Sequence, residues 1–292
     1  MSELHKRIAS SVALLTLGLM GYFILNWVGV YWRELSVFGI LTLILARLGY
    51  EWSFLVPTKD SSKKFLFLRF LLPVIVSGVY VLFVLISDHI LFMGFYYGTT
   101  ENLFLPTIIA ILSSIVLLHV ISSFFRHFCY GYTDSPWLVA LAGIGYICLG
   151  GIGFHFFWQG AGFEATALVI AFVIVADSAA YFGGKRWGKR KLCPSISPGK
   201  TWAGAFSALV AVSIAYVLSI AFISDATPYL VIAFLIVVFS MIGDLYISLL
   251  KRRSGLKDVA SLIPGHGGLL DRLDGHLMVF CFIVTYSWYI FS

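Results

Sequence analysis

Apolar residues run through this chain in stretches of about 18 or more with few charges, long enough to cross a bilayer as helices. Lipid offers no water to the backbone, so each such run is held to a helix that satisfies its own N–H and C=O groups. Of the 292 residues, 60% are hydrophobic and 12% are charged, with a mean hydropathy of +0.95. A soluble core does not need so many long runs. We therefore expect an all-α, polytopic integral membrane protein with about nine transmembrane helices, and the chain length counts spans rather than soluble domains. The spans read as residues 9–31, 35–57, 65–87, 103–125, 136–158, 163–183, 203–224, 229–250 and 275–291. The first follows Lys6 and Arg7, but its apolar stretch exceeds a signal-peptide core and has no obvious small-residue cleavage site. It reads as an anchor.

The basic residues give an orientation. With a cytoplasmic N-terminus, 17 of the 20 lysines and arginines fall in the N-terminal segment and the even-numbered connections. Arg33 alone falls on the other side, and Arg47 and Arg69 lie within spans. This asymmetry follows the positive-inside tendency. It also accounts for the formal charge of +6 through attraction to anionic lipid headgroups, so the charge does not point to nucleic acid. Cys129, Cys148, Cys193 and Cys281 lack CxxC spacing and read as small hydrophobic residues rather than a zinc or disulfide framework.

Charge is concentrated in the second half. Two connections expected to be cytoplasmic, residues 184–202 and 251–274, each follow an apolar helix that contains an aspartate. Asp177 lies near the end of the sixth span, with Tyr181 one turn further on. In the eighth span Asp244, Ser248 and Lys251 fall at i, i+4 and i+7 and share one helical stripe. A carboxylate at membrane depth is costly and usually faces a cavity, an ion or a partner. Arg47 and Glu51 are four apart in the second span and read as a self-neutralising pair, with a substrate contact as the alternative. His119 and His155, alone in apolar surroundings, read as packing residues.

The stretch from Ser248 to Asp274 is the densest polar segment. Its 27 residues hold five cations, three carboxylates and a histidine around a Pro-Gly-His-Gly-Gly turn. Lys251, Arg252, Arg253 and Lys257 suit phosphate neutralisation. Asp271 and Asp274, three apart at the start of a helix, offer hard oxygens to one side, and Asp244 from the preceding helix would complete the set. Such oxygens suit Mg²⁺, which binds through one or two carboxylates, waters and substrate phosphates. His266 sits at the centre of the turn. A lipid-anchoring loop would need neither the aspartates nor the turn. In the other connection, Gly199-Lys200-Thr201 suggests a P-loop, but position 194 is proline where that motif needs glycine, and no strand is expected before it. The segment still suits phosphate contact.

These two segments resemble the phosphatidate cytidylyltransferases, also called CDP-diacylglycerol synthases. Ser248, Lys251, Arg252, Lys257, Asp258, Pro264, His266, Gly267, Gly268, Asp271, Arg272 and Asp274 match every fixed position of that family's signature. An upstream pattern is matched by Asp177, Ala180, Tyr181, Gly184, Ser197, Pro198, Lys200 and Thr201, although family members often carry a polar residue where this chain has Ala203. The resemblance implies transfer from CTP to phosphatidate, giving CDP-diacylglycerol and pyrophosphate. Mg²⁺ would be required, with a monovalent cation such as K⁺ left open beside it.

On this expectation Asp244, Asp271 and Asp274 bind metal, while Lys251, His266 and Asp271 carry the catalytic step. Asp177, Lys200, Thr201, Ser248, Arg252, Lys257 and Arg272 contact substrate. Residues 161–292 then form the catalytic region and residues 1–160 an N-terminal transmembrane region. The partners are CTP, phosphatidate and the bilayer, and a homodimer is left open. The expected location is a bacterial inner membrane with the site near its cytoplasmic face. Two rivals remain: a CTP-dependent polyprenol or lipid-alcohol kinase, and an ion-coupled transporter.

Overall fold

A computed structural model describes residues 30–56, 69–85, 111–112, 114–116, 118–124, 135–220, 229–260 and 267–291. The described chain is mostly helical. In order its elements are α1 (Val30–Trp52), α2 (Arg69–Leu85), α3 (Ser114–Phe124), α4 (Pro136–Trp187), β1 (Lys191–Cys193), β2 (Ser197–Thr201), α5 (Trp202–Ile220), α6 (Tyr229–Arg253) and α7 (Leu270–Phe291). Four described helices, α1, α4, α5 and α6, are long and apolar enough to cross a membrane. Nearly all of the expected first span, 9–31, lies outside the described residues.

Helix α4 covers two expected spans. Its 52 residues would extend about 78 Å if unbroken, far more than the ~30 Å hydrocarbon core. The helix is instead broken at Gly162, where φ is 80° and ψ is −177°. That residue lies between the expected spans 136–158 and 163–183. A positive φ comes at little steric cost only to glycine, so the sequence supplies the break itself. At the start of α4, Ser135 Oγ accepts from the Leu138 N–H at 3.3 Å and Pro136 occupies the first turn.

The connection expected as a loop at 184–202 is a correction to the purely helical reading. Helix α4 continues through Trp187, and a two-stranded antiparallel hairpin follows, with Lys191 opposite Thr201 and Cys193 opposite Ser197. The other polar connection is also shorter than expected. Helix α6 carries Lys251, Arg252 and Arg253 in its last turn, and α7 begins at Leu270, so Asp271 and Asp274 are helical residues. A glycine-ended cap closes α6. Gly255, at φ +69°, donates to Arg252 O, while Leu256 donates to Lys251 O at 2.8 Å.

Two apolar cores meet on α7. The first joins α1, α2, the first half of α4 and part of α6, and includes Leu48, Trp52, Tyr80, Tyr146 and Tyr246. The second joins the latter half of α4, α5 and α6, and includes Phe172, Val173, Ala208 and Ile236. Leu277, Met278, Cys281 and Val284 of α7 face the first, while Val279, Phe280, Phe282 and Ile283 face the second. From Leu277 to Val284 helix α7 is therefore buried all round, as an apolar helix at the centre of a bundle must be.

Close backbone approach between α6 and α7 depends on two glycines. A Cβ added at Gly243 would lie 2.5 Å from Asp274 O, and one at Gly275 would lie 2.6 Å from Ser240 Oγ. Small residues at a crossing let membrane helices pack by direct van der Waals contact. Gly243→Ala should therefore lower stability in detergent by about 1–3 kcal/mol, the usual cost of overpacking. Gly39→Ala, which meets nothing within 4 Å, should leave the unfolding temperature unchanged or slightly higher. Thermal scans of the purified chain compare the two, and equal unfolding temperatures would refute the tight crossing.

Candidate active site

The α6–α7 crossing brings polar residues from four elements together. Asp244 projects from α6, Asp274 from α7 and Asp177 from the end of α4, near enough to repel one another. Lys200 reaches in from β2, its Nζ 2.6 Å from Asp244 Oδ2. Ser248 lies one turn along α6 and donates to Asp244 Oδ1 at 3.3 Å, so the expected stripe is real at this end. Asp274 is only 7% exposed and accepts the Gly275 N–H at 2.7 Å through Oδ1. Asp177 remains exposed, which gives the cluster an open side. Among the described residues the three carboxylates share Lys200, Arg272 also acts on Asp177, and Ser240 beside Asp177 adds only a neutral hydroxyl.

A second polar group lies where α6 ends and α7 begins. Lys251 Nζ is 2.8 Å from Asp271 Oδ1, with the side chains 13% and 9% exposed. The other Asp271 oxygen accepts the N–H groups of Val259 at 3.0 Å and Gly268 at 2.9 Å. Asp271 thereby ties the intervening loop to the helix start. Asp271 and Asp274 share the first turns of α7 but not their partners. The spacing alone, which suggests two oxygens aimed at one point, misses this division.

Other expected site residues take varied places. Thr201 is buried, and its hydroxyl accepts the Gly204 N–H at 3.1 Å, capping α5. Arg252 is exposed and donates from Nε to Ile196 O at 3.3 Å, tying α6 to the hairpin. Lys257 and Arg272 are exposed at the rim. His266 lies outside the described residues. In the hairpin, burial pushes the Cys193 thiol up, and the nearby Lys200 charge partly opposes that shift. Cys148 and Cys281 are buried and unpaired with each other, as expected of small hydrophobic residues, while Cys129 lies outside the described residues. His155 packs in the core with Tyr80 OH 3.2 Å from its Nδ1.

One residue was missed as part of the site. Glu51 does pair with Arg47, Nε to Oε1 at 3.0 Å, but it does more than neutralise it. Its oxygens also accept the N–H groups of Leu269 at 3.1 Å and Leu270 at 2.7 Å, at the start of α7. No local sequence signal reveals a contact across more than 200 residues; only the 0% exposure of this carboxylate exposes it.

Among the described residues, no three His, Cys, Asp or Glu side chains converge to hold a metal ion by themselves. The Asp177–Asp244–Asp274 cluster is nonetheless short of positive charge, and its hard oxygens fit a divalent cation that takes its remaining ligands from phosphate and water.

The profile of the cytidylyltransferase family matches residues 5–290, so the chain belongs to that family. It is 42% identical over 116 residues to a phosphatidate cytidylyltransferase of Haemophilus influenzae, covering 37% of this chain and 40% of that protein. It is 44% identical over 117 residues to one of Pseudomonas aeruginosa, covering 38% and 43%. With the Bacillus subtilis protein of the same name the identity is 41% over 161 residues, covering 51% and 57%. The alignments thus span about two fifths to three fifths of these relatives. With its long apolar helices, the chain is an integral membrane protein.

If the Arg252 contact holds the hairpin, Arg252→Ala should speed deuterium uptake across residues 191–201 and leave α7 unchanged. Unaltered uptake in the hairpin would reject that tie.

Proposed function

We propose that this chain transfers a cytidylyl group from CTP to phosphatidate, giving CDP-diacylglycerol and pyrophosphate. The observation that carries the proposal is the meeting of the α6 and α7 carboxylates with Lys200 beside a rim of cations. The names of the relatives support the substrate pair.

The chemistry makes few demands on a nucleophile. A phosphate oxygen of phosphatidate is already anionic and attacks the α-phosphorus of CTP directly. The new O–P bond forms as the bond from the α-phosphorus to the bridging oxygen breaks, and pyrophosphate leaves with that electron pair. No serine or cysteine is needed. The protein's work is to bring two polyanions together and to stabilise charge at the α-phosphate. Lys200 and Lys251 are partly buried ammonium groups within the site, while Arg252, Lys257 and Arg272 form an exposed cationic rim. They would bind triphosphate and phosphatidate oxygens. His266 would orient a phosphate from the turn.

Asp244 and Asp274 would hold Mg²⁺, with Asp271 beside them once Lys251 moves to phosphate and Asp177 on the open side. A bound Mg²⁺ neutralises triphosphate oxygens and supplies electrophilic help at the α-phosphate. A monovalent cation such as K⁺ is a second candidate for the same acidic cluster. The positive-inside count supports nine spans, a cytoplasmic N-terminus and a site near the cytoplasmic face, where CTP is available. The bacterial relatives named above support an inner-membrane location. Acyl chains would remain in the bilayer and enter between helices.

The test is purified full-length chain with radiolabelled CTP and phosphatidate vesicles. Labelled CDP-diacylglycerol and pyrophosphate are expected, whereas release of CDP would indicate a kinase. Ion flux in proteoliposomes without nucleotide turnover would indicate a transporter. Asp244→Asn and Asp274→Asn should each raise the Mg²⁺ requirement by about tenfold or more. Asp271→Asn retaining wild-type turnover at limiting Mg²⁺ would remove its ligand role, and an active His266→Ala would remove that of the histidine.

A further inference from the structure

Helix α7 carries two of the site's carboxylates yet lacks an ordinary start. Leu269 occupies the N-cap position, since its carbonyl accepts from Arg272 and Leu273 at 3.0 Å. A leucine has no side-chain oxygen to offer the free N–H groups of a helix's first turn. Glu51 supplies that oxygen from α1. Oε1 takes the Leu269 N–H, Oε2 takes the Leu270 N–H, and the carboxylate is fully buried. Its negative charge also lies at the favourable end of the α7 dipole. Arg47 donates from Nε to Oε1 at 3.0 Å, the oxygen that also accepts the Leu269 N–H. Gly268 leaves room for the arrangement, because a Cβ there would collide with Glu51 Oε2.

We propose that Glu51 is a positioning residue for the α7 carboxylates. It touches neither Asp271 nor Asp274 directly. It fixes the backbone two residues before Asp271, and so sets where both side chains meet Asp244 and Lys251. The N-terminal region thereby contributes to the site without supplying a group that contacts substrate. The proposal rests on the reading of these aspartates as the metal and phosphate site.

The experiment uses the purified full-length chain and Mn²⁺ as the probe, with binding measured by electron paramagnetic resonance and turnover measured separately. Glu51→Ala and Gly268→Ala should each weaken Mn²⁺ binding by about tenfold or more, the scale on which residues supporting metal ligands act. Glu51→Gln should fall between them and wild type, because its carbonyl can still accept an N–H. Arg47→Gln should bind Mn²⁺ as wild type does. In the Glu51 variants kcat should fall while the KM for phosphatidate holds, which a general loss of fold would not produce. Gly268→Ala and Glu51→Gln keep the test open if Glu51→Ala does not fold.

Wild-type Mn²⁺ affinity in both Glu51→Ala and Gly268→Ala would overturn the proposal. So would Arg47→Gln weakening binding as much as Glu51→Ala, since the ion pair rather than the cap would then matter. A wild-type chain that binds no Mn²⁺ would overturn it together with the metal assignment. A wild-type chain that binds Mn²⁺ but does not turn over CTP with phosphatidate would overturn only the proposed reaction.

Discussion

A buried helix must begin somewhere, and its first N–H groups have no partners within the helix. For α7 this constraint governs much of the surrounding structure. The helix sits between two apolar cores, so water cannot be counted on to satisfy its start. Glu51 meets the need from α1, while α7's own Asp271 and Tyr146 of α4 secure the backbone around it. Glu51 takes the N–H groups of Leu269 and Leu270, Asp271 takes those of Gly268 and Val259, and Tyr146 donates to the Asp274 carbonyl at 2.7 Å. Tyr146 in turn packs with Trp52 and Tyr246, and Trp52 donates to Val139 O at 2.9 Å. A helix held this firmly at its polar end can place carboxylates where a loop would let them drift.

The same packing brings like charges together. Gly243 and Gly275 allow α6 and α7 to approach so closely that Asp244 and Asp274 share a site that Asp177 also borders. Carboxylates so arranged repel one another, and low-dielectric surroundings strengthen the repulsion. Lys200 offsets only part of it. Holding uncompensated carboxylates at the end of a rigid crossing is costly for stability, and it makes sense where a cation and a polyphosphate complete the charge balance.

Much of this layout was legible in the sequence, for reasons that differ from part to part. The apolar runs located the described helices because lipid leaves the backbone no alternative. The break in α4 fell between two expected spans, where Gly162 made it inexpensive. The signature segment marked Lys251, Asp271 and Asp274 as a group because charge is so scarce in the spans, and Asp244 joined them from the helix before it. The hairpin at 191–201 was not foreseen, since its short strands carry no alternating pattern and gain order from Arg252 and the buried Ile196. The partners of Asp271 were also hidden. Its spacing from Asp274 suggested a shared target, but the loop's free N–H groups claim one of its oxygens and Lys251 the other. Glu51 looked complete with Arg47 four residues away, because periodicity registers neighbours along a helix and is silent about a helix start 219 residues later.

Exposure grades the charges of the site, with Asp177 open and Asp244 partly so. Asp274 is buried and Asp271 nearly so; Lys200 and Lys251 are partly covered; Arg252, Lys257 and Arg272 stand in the open. An approaching polyanion therefore meets the exposed cations and Asp177 first and the buried Asp274 last. Exposed guanidinium and ammonium groups attract phosphate over several ångströms and give it up readily, since water and salt screen them. The deeper lysines already touch carboxylates, so a phosphate reaching Lys200 or Lys251 must compete with Asp244 or Asp271 for the ammonium. Each such exchange would leave a carboxylate seeking a cation at the moment a phosphate arrives. On the proposed reaction, the two ion pairs thus couple nucleotide entry to metal capture, with the buried start of α7 as the fixed frame on which the exchange takes place.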